Sequence, residues 1–231
     1  LLIAGSGIED MDASICSFGS AEPLSQNFRL IAEELPRHGF AVLRYSKHYV
    51  TGPCQADFMQ YYTRVDLPLL LQDAGQVLAA AQSNELVDAE RLYLYGWSEG
   101  STIAASLAIS HSDAIAGLVL QAPVTLSWYD TFLYQFADVQ LPFVRELAVD
   151  GKIAPESLLE LVNGHAGLVA MGGLTYLADP QVMAQNQLAL NPYFDRDESG
   201  AIDIDAELLP NLRAYLDQLF EAGGPFAIYA A

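Results

Sequence analysis

The chain has 231 residues, 52% of them hydrophobic, which is enough to bury a full core as one large domain or as a domain with a cap. Its 29 acidic and 10 basic side chains give a formal charge of −19, which repels phosphate backbones and anionic lipid and speaks against nucleic-acid binding. The acidity suits cation binding or a solubilising surface in a saline habitat. No stretch reaches the roughly 18 uninterrupted apolar residues of a spanning helix, so a soluble chain without a membrane span is expected.

Strand and helix signals alternate through the first half. Leu1-Leu2-Ile3-Ala4 is an apolar strand closed by Gly5-Ser6-Gly7. Residues 28–35 have helical spacing and stop at Gly39, and residues 41–45 form another short apolar run. Asp66 is positioned to cap a helix with Pro68 in its first turn, running to about residue 81. A strand over 92–95, an Ala-rich helix over 101–109 and a strand over 114–120 follow. Short apolar strands separated by helices predict an α/β fold with a mostly parallel, doubly wound sheet. From residue 127 to about 190, Trp128, Tyr129, Phe132, Tyr134, Phe136 and Phe143 precede apolar stretches with helical spacing and no clear strands, which predicts a helical cap.

The expected organisation is a partial core over 1–125, a mainly helical cap over 126–222, and the opening of another core strand over 223–231. The first residue is not Met, and both ends read as truncated. Any signal peptide would be lost by such truncation, which leaves cytoplasmic and extracytoplasmic locations both open. Cys16 and Cys54 lack metal spacing and read as packing residues rather than a disulfide framework.

Gly96-Trp97-Ser98-Glu99-Gly100 matches G-x-S-x-G, and it lies between an apolar strand and a helix rich in small residues, the context the motif requires. The sharp turn holds Ser98 in a strained conformation with its hydroxyl exposed, and side chains at 96 and 100 would collide with neighbouring backbone. The helix N-terminus places positive potential where a tetrahedral oxyanion forms. Ser98 is therefore the expected nucleophile. The backbone amides of Glu99 and Ser6 are the expected oxyanion donors. Glu99 itself reads as a first-turn helix acid, and Asp10 and Asp12 as residues that fix the loop.

Residues 2–12, Val42-Leu43-Arg44-Tyr45 and residues 87–100 together resemble, in consistent order, a bacterial α/β-hydrolase family of esterase and acyl-peptidase-like proteins. The similarity covers roughly residues 1–125 and implies the α/β-hydrolase fold with a helical cap. The chain departs from the family at Ser46-Lys47-His48-Tyr49, where an Asp-Lys-Arg-Gly-like run is usual, and at Trp97, where His is commoner. The fold's order of Ser, then acid, then His implies that the triad acid and base follow the cap. His38 and His48 precede Ser98, His111 ends the following helix, and His165 lies in the cap, so none is assigned as base.

Residues 195–203 resemble the calcium loop of an EF-hand. Asp195, Asp197, Ser199 and Asp203 place side-chain oxygens at loop positions 1, 3, 5 and 9. Gly200 stands at position 6, and Ala201 offers its carbonyl at position 7. Position 12 is Ala206 instead of Glu, and Asp205 or Glu207 could compensate after a shift. A structural Ca²⁺ held by Asp195, Asp197, Ser199, Ala201, Asp203 and Glu207 is set against an acidic turn that caps the next helix. No cofactor is required for catalysis.

These features predict a serine hydrolase acting on a small-molecule carboxylic ester or related acyl substrate through an acyl-enzyme on Ser98. The alternative is a noncatalytic calcium-binding scaffold or interaction protein that retains the hydrolase fold. Oligomeric state is not legible.

Overall fold

The computed structural model describes residues 1–16, 22–163, 172–183, 187–224 and 226–230. It is a mixed α/β structure that divides into two compact units, Leu1–Thr125 and Leu126–Ala231.

The first unit is built on a small parallel sheet of β1 (Leu2–Ile3), β6 (Leu92–Trp97) and β7 (Ile115–Gln121), in the order β1-β6-β7. Between β1 and β6 lie β2 (Ser14–Cys16), β3 (Pro23–Gln26), α1 (Asn27–Glu34), β4 (Val50–Gly52), β5 (Gln55–Ala56), α2 (Phe58–Arg64) and α3 (Leu67–Gln82). Helix α3 begins where its local chemistry dictates. The Asp66 side chain accepts the Leu69 amide at 2.8 Å, and a proline occupies the first turn. Its apolar stripe of Leu70, Ala74, Leu78 and Ala81 packs with Ile3, Leu92, Leu94 and residues of α4 (Glu99–Ser110) to form the core on one face of the sheet. On the other face Phe28 of α1 meets Leu2, Ala4, Tyr95 and Trp97.

Two expectations for this unit fail. Residues 41–45 form no strand. Leu2 donates to the Leu43 carbonyl at 2.9 Å, but β1 is two residues long and offers too little edge for a ladder. Cys16 and Cys54, read as packing residues, are joined in a disulfide across a separation of 38 residues. The pairing links β2 to the β4–β5 turn, a proximity that sequence spacing could not reveal.

The second unit contains α5 (Trp128–Tyr134), α6 (Leu141–Glu146), β8 (Lys152–Ile153), α7 (Pro155–Asn163), α8 (Leu174–Leu177), α9 (Pro180–Met183), β9 (Ile202–Asp203) and α10 (Leu209–Phe220). Its aromatic residues pack on one another. Phe136 and Tyr176 have ring centroids 4.1 Å apart, and Phe132 stacks on Phe226 at 4.2 Å. They form this unit's own core. The region expected to lack strands contains β8, which pairs antiparallel with β9 through Ile153↔Ile202 and Lys152↔Asp203. Two-residue strands carry no periodic signal. The strand expected over 223–231 is replaced by a 3₁₀ turn, Ala227–Tyr229, because Tyr229 is buried by stacking on Trp128 at 4.4 Å. Among the described residues, no helix is long and apolar enough to cross a membrane.

Candidate active site

Strand β6 runs through Gly96 and Trp97, and α4 starts at Glu99, so the whole change of direction falls on Ser98. Its backbone has φ 53° and ψ −119°, a conformation that costs a non-glycine residue of order 1–3 kcal/mol. The surroundings hold it there. Ser98 donates its amide to the Gln121 carbonyl at 3.0 Å, and its own carbonyl accepts from the Ser101 amide at 2.8 Å. The tight bend brings backbones together: a β-carbon on Gly96 would lie 2.3 Å from the Gly100 carbonyl oxygen, and one on Gly100 would lie 2.2 Å from that of Ile3. Both positions therefore exclude side chains. Ser98 is partly exposed.

The loop after β1 borders the serine. Gly5 is buried with its Cβ direction 3.4 Å from the Ser98 β-carbon, and Ser6 is exposed. Among the described residues the Ser6 amide has no acceptor. The Glu99 amide opens the first turn of α4. Glu99 follows Ser98 in the chain, and Gly5, the residue before Ser6, lies beside Ser98 in space.

Behind them lies a buried charge cluster that sequence reasoning missed. Glu99, the first-turn helix acid, is fully buried, and its carboxylate accepts from the Lys47 ammonium at 2.7 Å. Lys47, 5% exposed, also donates to the carbonyls of Gly5 and Gly7, the latter at 3.1 Å. Tyr61 donates its hydroxyl to the same Gly7 carbonyl at 2.6 Å, and burial raises its pKa, so it stays a neutral donor. Burial also pushes the Glu9 carboxyl up to about 7. The negative charges of Asp10 and Glu99 add to that effect, and Lys47 opposes it. Asp10 fixes the loop as expected, accepting from the Ser14 amide at 2.9 Å and the Ser14 hydroxyl at 3.1 Å, while Asp12 pairs with Arg44.

No described histidine makes a hydrogen bond to Ser98. His38 bonds Glu34, His48 bonds Asp73 of α3, and His111 caps α4 through the Leu107 carbonyl. His165 lies outside the described residues.

In the second unit, carboxylate oxygens of Asp195, Asp197 and Glu207 lie within 4.8 Å of one another and could hold a metal ion. Glu207 stands one residue beyond the usual closing position of such a loop. The segment Ile204–Leu208 is π-helical, and its wider turn absorbs the extra residue and brings the carboxylate back over the loop. There it accepts the amides of Arg196, Asp197 and Asp203 at 2.9 to 3.2 Å. A carboxylate has about four acceptor sites, so these three bonds leave capacity for a cation. The Ser199 side chain and amide beside it hold the Asp197 carboxyl below the usual range.

Of the expected carboxylate ligands, Asp203 is not one of these three. Asp203 caps the π-helical turn by accepting from the Asp205 and Ala206 amides, and the Ser199 hydroxyl donates to the Ala201 carbonyl. Asp205 pairs with Arg145 at 2.6 Å. The chain matches no known protein-family model, no curated protein and no solved structure.

Proposed function

We propose that the protein is a serine hydrolase with the α/β-hydrolase fold, acting on a carboxylic ester or related acyl compound. The observation that carries this reading is the backbone at Ser98, φ 53° and ψ −119° at an abrupt strand-to-helix bend, beside a glycine loop. The Ser98 hydroxyl loses its proton to a base and attacks the acyl carbon. The carbonyl oxygen becomes an oxyanion stabilised by the Glu99 and Ser6 amides, and the alcohol leaves with a proton as the acyl-enzyme forms. Water then releases the acid and restores Ser98. In this fold a histidine and an acid complete the chemistry, both later in the chain than the nucleophile.

A fluorophosphonate probe tests the reading. Covalent labelling is expected on the wild-type protein and is expected to vanish in Ser98→Ala. A well-folded wild type that stays unlabelled would remove the proposal.

The second reading is a noncatalytic calcium-binding scaffold or interaction protein that keeps the same fold. It is favoured by the acidic cluster and by the lack of a histidine bonded to Ser98 among the described residues. In either reading, Asp195, Asp197 and Glu207 offer a hard, all-oxygen donor set suited to Ca²⁺ in a structural role. Calorimetric titration should register heat at or below millimolar Ca²⁺. An isotherm flat at that concentration would discard the ion.

A further inference from the structure

We infer that Lys47 is a positioning residue for acyl transfer, its single ammonium group holding both halves of the oxyanion hole in register. The inference rests on the reading of Ser98 as nucleophile and deepens it.

The two expected donors come from segments far apart in the chain: the Ser6 amide from the loop after β1 and the Glu99 amide from the start of α4. β1 pairs with β6 and its end abuts Gly100, which sets the two segments side by side without joining the Gly5 and Gly7 carbonyls to the Glu99 side chain. Lys47 joins them from a third segment, by donating to the Gly5 carbonyl, the Gly7 carbonyl and the Glu99 carboxylate at once.

Peptide geometry converts this contact into donor orientation. The Gly5 carbonyl and the Ser6 N–H belong to one planar trans peptide unit and point in opposite directions. An ammonium that draws the carbonyl into the protein therefore turns the Ser6 N–H outward, to the side where Ser6 is exposed and Gly5 abuts Ser98. At the other end, the Glu99 side chain is anchored through the same ammonium, which fixes the first residue of α4 and hence its amide. Tyr61 adds a second restraint on the Gly7 carbonyl.

The donors are pre-set before substrate arrives, so the effect belongs to the transition state, where charge develops on oxygen, and not to ground-state binding. The site for Lys47 is built for one geometry: the side chain is 4% exposed and its partner Glu99 is 0% exposed. All three hydrogens of the ammonium have acceptors, a count that no other cationic side chain meets with the same point-like shape.

The test uses the full chain and a p-nitrophenyl ester, with Ser98→Ala as reference. Lys47→Met is expected to lower kcat by about 100-fold, the scale of one lost oxyanion donor. KM should stay within about threefold. Affinity for a boronic acid, which mimics the tetrahedral state, should fall in step with kcat. A folded Lys47→Met with wild-type kcat, or with a change in KM alone, overturns the inference. If the lone buried carboxylate prevents folding, Lys47→Met/Glu99→Gln leaves both groups neutral at similar volume. The same loss of kcat is expected there, and normal kcat in it also overturns the idea. A Ser98→Ala protein as active as wild type, or a wild type inert to both ester and boronic acid, removes the nucleophile reading and this inference with it. An active wild type silenced by Ser98→Ala, beside an unaffected Lys47→Met, removes the inference alone.

Discussion

Glu9 shows how a single residue next to the candidate site couples the fold to pH. Its carboxyl is surrounded by Lys47, Asp10, Glu99 and Tyr61, and its Oε2 atom is buried without a hydrogen-bond partner among the described residues. Burial, the largest cause, raises its pKa from 4.5 to about 7, so the folded chain binds this proton more tightly than the unfolded chain. The associated stabilisation is complete below about pH 4.5 and is lost as pH rises through about 7. At about 1.4 kcal/mol per unit, the shift amounts to about 3 kcal/mol across that window. Glu9→Gln is always neutral and should lack this component. Urea unfolding at pH 4.5 and pH 7.5 should show wild type losing stability relative to Glu9→Gln, and parallel behaviour of the two would refute it. None of this is visible in sequence. Ser98 is legible because the glycines that permit its conformation stand two residues away on either side. The partners of Lys47 and Glu9 are not, since Lys47 meets Glu99 across 52 positions and only the folded chain brings them together.

At the scale of elements, what was legible is what local chemistry decides. Helix α3 announces itself through Asp66, Pro68 and an apolar stripe, and the β6–α4 junction through its glycines and small residues. Elements decided by pairing escape detection: β8 and β9 are two residues each and exist because Ile153 faces Ile202, and the π-helical turn exists because Glu207 must reach back over its loop. Residues 41–45 show the converse, an apolar run without a ladder because its neighbour β1 is short. The bend carries the sharpest element-level prediction. A methyl group at position 100 would meet backbone oxygens of Ile3 and Ala4 at 2.2 and 2.6 Å, and neither can move without breaking the contact between β1 and α4. Gly100→Ala should therefore cost at least about 3 kcal/mol, the upper range for overpacking. Thermal unfolding measures it, and a Tm unchanged within a degree would mean that α4 does not lie against β1 as described.

The whole molecule combines two compact units, each with its own hydrophobic core and its own non-hydrophobic clamp. In the first unit the Cys16–Cys54 disulfide closes a loop of 38 residues around α1. Chain-entropy arguments give such a closure about 4 kcal/mol through the unfolded state. In the second unit the clamp is electrostatic. Asp195, Asp197 and Glu207 gather negative charge in a chain already at −19, and a divalent cation would relieve that repulsion. A ligand that binds only the folded state stabilises by RT ln(1 + [L]/Kd), about 2.7 kcal/mol at a hundredfold excess over Kd. The two clamps should therefore act on different segments. Hydrogen exchange resolved by peptide distinguishes them. Adding Ca²⁺ is expected to slow exchange in β9 and α10 and to leave β6 and α4 unchanged. Reducing the disulfide is expected to speed exchange in β2, α1 and the β4–β5 turn and to leave α10 unchanged. Equal responses of both units to either treatment would mean that the clamps do not act locally, and no response of β9 and α10 to millimolar Ca²⁺ would mean that the acidic loop is held by its own backbone hydrogen bonds alone.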